Sequence, residues 1–535
     1  MLIGLDFDNT LAHYDNVFAI EAKKRNLVPK EWKGTKRDLK NRLHSIQNGD
    51  KLWQKIQGQV YGPSMHKANL FPGVARFLLR CKLKGHTILI VSHKTKYGHF
   101  DPTKTLLREA ALNWMDDQGF FDDRMFGLSR KNVFFEATRQ EKVERIESLN
   151  LDVFVDDLEE VFAEENFPSI KKILFSNTSK GAYHDIVCNN WPAITNSIVG
   201  EITDKEIGYL AKSICKNSIQ NIKKIQGRGN SRLYKISTDE MGDFVLKDYP
   251  DLLIDPRERL MTEVHALKMV EHLQRTPKVV AFDKEQNIAL YEWIEGAHLT
   301  HIRKEHISQA LGFIENIQSL ENRDSYPLAS EACLSADHIF SQINHRFQQL
   351  SLVKNQVLQN FLNTTFKPLW DEVHNWSEQH WPKRNLVNDL PKTMQVFSPS
   401  DFGFHNALLK NDGEICFLDF EYFGRDDPVK LMADFIWHPG MNLDFSHKAK
   451  WLKETFRIFS KDPDLYSRFH AAWPLYGLRW SLILLNEFRE DGWKKRVYAN
   501  IDLESNHEKR LDEQLVKATS VCEQIQATNM KCPYV

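Results

Sequence analysis

The sequence lacks several features that would tie the chain to an oxidising compartment or to a membrane. Its seven cysteines are scattered and form no CxxC pair, which argues against a disulfide framework or a zinc module and favours a reducing compartment. It has no run of about 18 apolar residues, so no membrane span is expected. Its first residues lack the basic start and long apolar core of a signal peptide. We therefore expect a cytoplasmic protein.

An excess of one charge sign is also missing. Lys and Arg total 71, Asp and Glu total 72, and the net charge is -1. There is no long basic run, so nucleic acid is not expected as a partner. Internal repeats and low-complexity tracts are absent as well. What is present is length and apolar bulk: 535 residues with 33 Phe and 13 Trp predict two or three well-filled domains.

The first third of the chain alternates short apolar runs with helix-like stretches. The runs are Leu2 to Phe7, Thr87 to Val91, Val153 to Val155 and Ile173 to Phe175. This alternation predicts an α/β fold with a parallel sheet and crossover helices, whose reactive groups lie at the carboxyl ends of the strands. Residues 15–70 are long for a crossover connection and predict a small helical cap.

Two aspartates end the first apolar run. Asp6 is suited to attack a phosphorus atom and form an aspartyl-phosphate. Asp8 is suited to protonate the leaving oxygen and then to activate water. Thr10 is expected to hold the turn that aims both carboxylates inward. The pattern predicts a nucleophile and an acid/base, and both aspartates are also candidate metal ligands.

The later strand ends supply the remaining groups that phosphoryl transfer needs. Ser92 offers a hydroxyl to a phosphate oxygen, and Lys142 offers positive charge, with Lys131 as a rival for that role. Asp156 and Asp157 are candidate Mg²⁺ ligands. Taken singly, each group also fits a turn, a helix cap or a solvated helix face.

In order, these groups resemble the four motifs of the haloacid dehalogenase superfamily over residues 1–195. The resemblance implies a Rossmann-like domain with a helical cap, an Asp6 nucleophile and Mg²⁺. Asp8 fits the phosphatases and mutases of that superfamily. The neighbours His93 and Lys94 fit either substrate contacts or solvated loop residues, and the second interpretation is favoured.

After a helical connector at residues 196–214, the pattern changes. Ile222 to Tyr249 predicts strands joined by a Gly-rich turn, and Arg257 to Leu273 predicts a helix. Strands are predicted at Lys278 to Phe282 and at Ile288 to Trp293, and the chain after about residue 305 is largely helical. The region predicts a small sheet followed by a helical lobe.

The sheet carries residues suited to bind a nucleotide. Backbone amides of the Gly-rich turn approach phosphates closely; its candidate residues are Gly227, Gly229, Asn230 and Ser231. Lys247 ends a strand and is suited to bind the α- and β-phosphates of ATP. Glu263, on the next helix, is suited to fix Lys247 by an ion pair.

The helical lobe supplies a second catalytic set. Asp401 is suited to accept or orient the proton of a substrate hydroxyl, while Asn406 and Asp419 are candidate Mg²⁺ ligands. A base, an amide ligand and a carboxylate ligand around Mg-ATP are the requirements of an in-line kinase.

This half resembles the aminoglycoside phosphotransferase and choline kinase family, whose α+β fold is the two-lobed fold of protein kinases. The resemblance implies an N-lobe at residues 215–296 and a C-lobe at residues 297–535. It also implies ATP as co-substrate, with adenine held by the hinge near Glu292 and Ile294. One departure is Pro399, which stands where the family usually has a histidine two residues before its catalytic aspartate.

The leading interpretation is a bifunctional enzyme, a phosphatase fused to an ATP-dependent kinase of a small hydroxyl compound such as a sugar or amino alcohol. By analogy, activated-sugar or cell-surface polymer metabolism is a candidate pathway. Three alternatives stay open: two opposed activities on one metabolite, a sensor or scaffold in which one or both domains only bind ligand, and a protein kinase. The sequence indicates neither substrate and no oligomeric state.

Overall fold

The structure, a computed structural model, falls into two compact units, Met1–Lys216 with Asp251–Asp255, and Asn217–Pro250 with Pro256–Val535. It describes residues 1–98, 100, 103–178, 181, 183–215, 218–225, 231–239, 242–250, 255, 257–499 and 507–535. Among the helices in these ranges, none combines the length and the apolar character that crossing a bilayer needs.

The N-terminal unit is built on a six-stranded parallel sheet in the order β5-β4-β1-β6-β7-β8, with a two-stranded antiparallel ribbon, β2 and β3, beside it. The strands are β1 (Leu2–Leu5), β2 (Ala12–His13), β3 (Asn69–Leu70), β4 (Thr87–His93), β5 (Val133–Glu136), β6 (Val153–Asp156), β7 (Lys171–Phe175) and β8 (Ile186–Cys188). The central position of β1, between β4 and β6, brings three strand ends together at one edge.

Helices surround this sheet, and three of them form the insert between β2 and β3. They are α1 (Asp15–Lys24), α2 (Lys36–His44), α3 (Gly49–Tyr61), α4 (Val74–Leu83), α5 (Leu107–Asp117), α6 (Arg139–Ser148), α7 (Glu159–Phe162), α8 (Trp191–Val199) and α9 (Asp204–Ile214). β2 and β3 pair with each other, so the first and last residues of the insert that contains α1 to α3 lie side by side.

Close packing explains the glycine inside β1. A Cβ atom on Gly4 would stand 2.4 Å from Leu151 Cδ1 and 2.5 Å from Phe154 Cδ2. Both neighbours are buried core residues, so a larger residue at position 4 would push β6 away from β1.

The C-terminal unit begins with a five-stranded antiparallel sheet in the order β12-β13-β11-β10-β9, followed by smaller strand pairs. The strands are β9 (Ile219–Ile225), β10 (Arg232–Thr238), β11 (Asp243–Asp248), β12 (Val279–Asp283), β13 (Ile288–Glu292), β14 (Gly296–His298), β15 (Val396–Ser398), β16 (Ala407–Lys410), β17 (Ile415–Phe417) and β18 (Gly424–Asp426). The five-stranded sheet carries the predicted lysine on its central strand β11.

Among the described residues, two helices contact this sheet, and the others build a helical lobe around a large apolar core. The helices are α10 (Arg259–Val270), α11 (Lys304–Gln318), α12 (Ala336–Ser351), α13 (Gln356–Phe361), α14 (Lys367–His380), α15 (Pro428–Trp437), α16 (Phe445–Ile458), α17 (Leu465–Leu484), α18 (Glu490–Ala499) and α19 (His507–Ala527). α15 and α17 are buried on nearly every side, which makes them the centre of the lobe.

Candidate active sites

The residues predicted for the N-terminal site converge where β1, β4 and β6 end. The backbone of Asp6 continues the sheet by donating to the Val155 carbonyl at 2.9 Å. Phe7 turns into the core, where its ring meets the edges of Trp114 and Phe135. This anchor holds the segment in place while the two flanking carboxylates enter the site.

Asp6 lies at the centre of a hydrogen-bond network. Its Oδ1 accepts from Ser92 Oγ at 2.9 Å and from Lys142 Nζ at 2.6 Å. Lys142 Nζ also lies 2.6 Å from Asp156 Oδ2, and its side chain is buried. Lys131 is exposed in a short helical turn, so the structure brings Lys142 rather than its rival to Asp6.

Three carboxylates of this site are arranged as a cation site. Oxygens of Asp6, Asp156 and Asp157 all lie within 4.8 Å of one another. Burial raises the pKa of Asp156 to about 6 despite the attraction of Lys142. Burial and the charges of Asp6 and Asp156 raise the pKa of Asp157 well above its ordinary value. A hard divalent cation with oxygen ligands would offset this concentration of negative charge, so the donor set fits Mg²⁺.

Asp8 lies outside that three-carboxylate cluster. Lys94 Nζ donates to its two oxygens at 3.0 and 2.8 Å, and Tyr14 OH donates to Oδ1 at 2.5 Å. Lys94 is buried, so its interpretation as a solvated residue is wrong, whereas His93 is exposed as expected. From the cap helix α2, Lys36 donates to Asn9 Oδ1 at 2.9 Å.

The C-terminal site is organised around Lys247 on β11. Its Nζ lies 2.7 Å from Glu263 Oε2, 2.6 Å from Asp419 Oδ1 and 3.0 Å from Glu421 Oε2. Burial opposes the charged lysine, but the three carboxylates outweigh it and raise its pKa well above the ordinary value. Tyr249 OH donates to Glu263 Oε2 at 2.6 Å and fixes that carboxylate from the other side.

Glu421 is a site residue that was not predicted. Arg259 donates to its Oε1 at 2.6 Å, and Ser231 donates to Oε2 at 3.4 Å. Oxygens of Glu263, Asp419 and Glu421 lie within 4.8 Å of one another. Burial raises the pKa of Asp419 to about 7, a shift that a nearby cation would reverse. These donors, with Asn406 beside Asp419 in one cavity, fit the magnesium ion of Mg-ATP.

Asp401 is held by two histidines and an amide. His405 Nε2 lies 3.0 Å and His438 Nε2 lies 3.7 Å from Asp401 Oδ1, and Asn406 Nδ2 donates to Oδ2 at 3.3 Å. Burial acts to raise the pKa of Asp401, but the histidines and the amide outweigh it and hold the pKa well below the usual range. Position 399 is proline, and the neighbouring imidazoles come instead from positions after the aspartate.

Two cavities of the C-terminal unit meet at these residues. One, of about 360 Å³, is lined by Lys247, Glu292 and Ile294, and also by Ser231. The other, of about 880 Å³, is lined by Asp401, Asn406 and Asp419. Asn406 and Asp419 line both cavities, so the two cavities adjoin at these residues. The first, beside Lys247, fits a nucleotide, and the second, beside Asp401, fits the hydroxyl compound that accepts a phosphoryl group. The predicted Gly227, Gly229 and Asn230 lie outside the described residues.

A search of curated proteins finds a likeness to a phosphatase. The chain is 30% identical over 97 residues to 2-hydroxy-3-keto-5-methylthiopentenyl-1-phosphate phosphatase from Brevibacillus brevis. The match covers 17% of this chain and 42% of that enzyme, so it spans less than half of the relative.

Among solved structures, the choline kinase LicA from Streptococcus pneumoniae is 13% identical, with 60% of this chain and 97% of that chain covered and a TM-score of 0.38. A choline/ethanolamine kinase family protein from Mesorhizobium loti is 16% identical, with 58% and 91% covered and a TM-score of 0.37. A spectinomycin phosphotransferase is 13% identical, with 60% and 98% covered and a TM-score of 0.40.

The family comparison bears on the C-terminal unit directly. The model of the phosphotransferase enzyme family matches residues 221–468. That stretch contains Lys247, Glu263, Asp401, Asn406 and Asp419. The match to the phosphotransferase enzyme family thus extends over a little under half of the chain, at residues 221–468.

Proposed function

We propose that the protein is a bifunctional phosphoryl-transfer enzyme. Its N-terminal unit is a phosphatase of the haloacid dehalogenase type that uses Asp6 as nucleophile, and its C-terminal unit is an ATP-dependent kinase of a small hydroxyl compound. The observation that carries the first assignment is the buried Lys142, which bridges Asp6 and Asp156. The second rests on Asp401, Asn406 and Asp419 lining one cavity within the matched domain.

In the phosphatase, an Asp6 oxygen attacks the phosphorus atom of a phosphate monoester as the bond to the leaving oxygen breaks. Asp8 gives that oxygen a proton, so an alcohol leaves and an aspartyl-phosphate remains. Asp8 then takes a proton from water, which attacks the phosphorus and frees Asp6 and inorganic phosphate. Ser92 and Lys142 hold the phosphate oxygens, and bound Mg²⁺ supplies charge neutralisation at the phosphate.

In the kinase, the acceptor hydroxyl attacks the γ-phosphorus of ATP while the bond from that phosphorus to the β–γ bridging oxygen breaks. Asp401 orients the hydroxyl and receives its proton. Lys247, fixed by Glu263, holds the α- and β-phosphates, and backbone groups near Glu292 and Ile294 hold adenine. Asn406 and Asp419 would hold the magnesium of Mg-ATP, which neutralises the phosphate charge.

Mass spectrometry of a metabolite pool tests both assignments. The pool is incubated with Mg-ATP and either the parent protein, the Asp6→Asn variant or the Asp401→Asn variant. We expect Asp6→Asn to abolish the loss of a phosphorylated compound and Asp401→Asn to abolish the gain of one. With the parent protein, an unchanged pool without consumption of ATP would contradict both activities.

A further inference from the structure

Arginine side chains line the cavity that contains Asp401. They are Arg257, Arg346, Arg479, Arg489, Arg496 and Arg510. A cavity built for a cationic alcohol would present carboxylates or open aromatic faces to its ligand. Away from Asp401, Asp419 and Glu421, the most abundant charged group is the guanidinium, which matches phosphates and carboxylates in geometry.

Glu331 is the carboxylate at the centre of this group. Arg346 donates to its two oxygens at 2.7 and 2.6 Å, and Arg479 NH2 donates to Oε2 at 2.9 Å. Burial would raise the pKa of Glu331, but Arg479, Arg346 and Arg257 outweigh it and hold that pKa well below the ordinary range. This carboxylate is therefore already engaged by cations and is a poor receptor for an ammonium group.

The other carboxylates near the arginines are engaged in the same way. Asp434 accepts from Trp480 Nε1 at 2.8 Å and lies 3.4 Å from Arg479 NH1. Asp491 pairs with Arg489 at 2.8 Å. Glu487 likewise pairs with Arg496 at 3.2 Å and with Arg510 at 2.5 Å. Away from Asp401, Asp419 and Glu421, six guanidiniums and the Lys517 ammonium thus line the cavity with four carboxylates, and positive charge is in excess there.

Two neighbouring guanidiniums add to the effect of burial on Arg346. Burial, with repulsion from Arg479 and Arg489, lowers the pKa of Arg346 in spite of its pairing with Glu331. A bound anion would relieve that repulsion, since it supplies the negative charge that Glu331 alone does not. The cavity therefore favours a ligand with an anionic group.

We propose that the kinase acceptor is an alcohol that carries a second, anionic group, a phosphate or a carboxylate, which Arg346 and Arg479 bind while the hydroxyl faces Asp401. The assignment deepens the kinase function proposed above and rests on it. In the reaction, the hydroxyl oxygen gains the γ-phosphoryl group of ATP, the hydroxyl proton passes to Asp401, and ADP leaves. The product then carries the original anionic group and a new phosphate.

Binding of inorganic phosphate tests the anion site without turnover. The full chain with Mg²⁺ and saturating AMP-PNP is titrated with phosphate by calorimetry, and the Arg346→Gln variant is compared with the parent. Any binding at the N-terminal site is the same in both, because Arg346 belongs to the other unit. Loss of a charge-assisted contact predicts affinity weaker by roughly tenfold or more in the variant.

Arg457→Gln is the matched control. Arg457 also pairs with glutamates, at 3.2 Å from Glu315 and 2.9 Å from Glu454, but it lies on the surface and does not line the cavity. We expect Arg457→Gln to bind phosphate as the parent does. Equal phosphate affinity in Arg346→Gln and the parent would overturn the anion site.

ADP release with matched acceptors tests the substrate class and separates phosphate from carboxylate. The acceptors are ribitol and ribitol 5-phosphate, glucose, gluconate and glucose 6-phosphate, and choline. We expect release with an anionic member and a kcat/KM for it at least tenfold lower in Arg346→Gln. Release with choline or the neutral members alone would overturn the inference. Arg346-dependent phosphate binding without any turnover would support the anion site and contradict the kinase assignment.

Discussion

At the scale of single residues, buried lysines distinguish the two sites from ordinary charged surface. Lys142 bridges Asp6 and Asp156, and Lys247 bridges Glu263 and Asp419, each at 2.6 to 2.7 Å. Attraction by these carboxylates outweighs burial and raises the pKa of both lysines, so both stay charged. Such lysines are fixed positive charges, which is what a transferring phosphoryl group requires.

Lys94, which lies outside the four motifs, is expected to orient the Asp8 carboxylate. Because its ammonium binds both oxygens of Asp8, we expect Lys94→Met to misorient the acid/base and to lower the phosphatase kcat by roughly 10- to 100-fold. Steady-state hydrolysis of p-nitrophenyl phosphate checks this. The control is Lys96→Met, since Lys96 is exposed two residues away. An unchanged kcat and pH profile in Lys94→Met would show that Asp8 is oriented without it.

His405 is a positioning residue for Asp401. Its Nε2 lies 3.0 Å from Asp401 Oδ1, and its ring stacks on that of His438 with centroids 3.6 Å apart. We expect His405→Ala to lower the kinase kcat by roughly tenfold or more, with a smaller change in the KM for ATP. His405→Gln retains a donor and should recover part of the lost kcat. If the alanine and glutamine variants lose the same activity, the hydrogen bond to Asp401 does not matter.

At the scale of elements, the apolar runs of the sequence predict four of the six strands in the N-terminal sheet. The four apolar runs correspond to β1, β4, β6 and β7. β5 (Val133–Glu136) and β8 (Ile186–Cys188) were not predicted; both are short strands at the edges of the sheet with partly exposed residues. A run of three apolar residues, such as Val133 to Phe135, does not by itself distinguish a strand from another buried segment.

The same distinction applies to the sites. Asp6, Lys142 and Asp401 belong to motifs with short spacing or fixed order, so the sequence reveals them. Lys36 reaches Asn9 only through the fold of the cap helix α2, and Arg259 reaches Glu421 across 162 positions. Contacts set by tertiary packing leave no local pattern, which is why neither residue was predicted.

The helix α9 (Asp204–Ile214) falls within the region predicted as a connector, yet it packs against α4 through a buried ion pair. Arg80 Nε donates to Glu206 Oε1 at 2.9 Å, and both side chains are buried. Burial acts to raise the pKa of Glu206, but Arg80 and the Thr203 cap outweigh it and lower that pKa. A depressed pKa stabilises the folded chain above the unfolded value of 4.5, and this contribution is lost as pH falls through the folded pKa.

We therefore expect Glu206→Gln to lower the free energy of unfolding by about 1.5 to 3 kcal/mol at pH 7, the range for a hydrogen bond to a charged group. The difference from the parent should shrink as the pH falls below 4.5, because the unfolded chain then takes up a proton that the folded carboxylate does not, until the folded carboxylate is protonated as well. Calorimetric melting of the full chain at pH 7 and pH 4 measures this. Glu201→Gln, at an exposed position, is the control. A pH-independent difference would assign the effect to packing instead of charge.

At the scale of the whole molecule, the two proposed activities share one kind of ligand. The proposed phosphatase would act on a phosphate monoester, and the arginine-lined cavity of the proposed kinase would take an anionic alcohol. A phosphorylated alcohol would satisfy both sites. The kinase would convert it to a bisphosphate, and the phosphatase would remove one of the two phosphates. If the phosphatase removes the phosphate that the acceptor already carried, the two activities are consecutive. If it removes the phosphate that came from ATP, they are opposed.

Isotopic labelling of ATP distinguishes these two orders. With ATP labelled by ¹⁸O in the γ-phosphoryl group, consecutive action on different hydroxyls leaves the label in the organic product and releases unlabelled phosphate. Opposed action releases labelled phosphate and regenerates the acceptor, so ATP is consumed without net product. We expect the consecutive pattern, because opposed action on one hydroxyl would only hydrolyse ATP. The Asp6→Asn variant should accumulate the labelled bisphosphate in either case, and removal of Mg²⁺ by EDTA should stop both steps. Labelled inorganic phosphate as the main product of the parent protein would establish the opposed cycle.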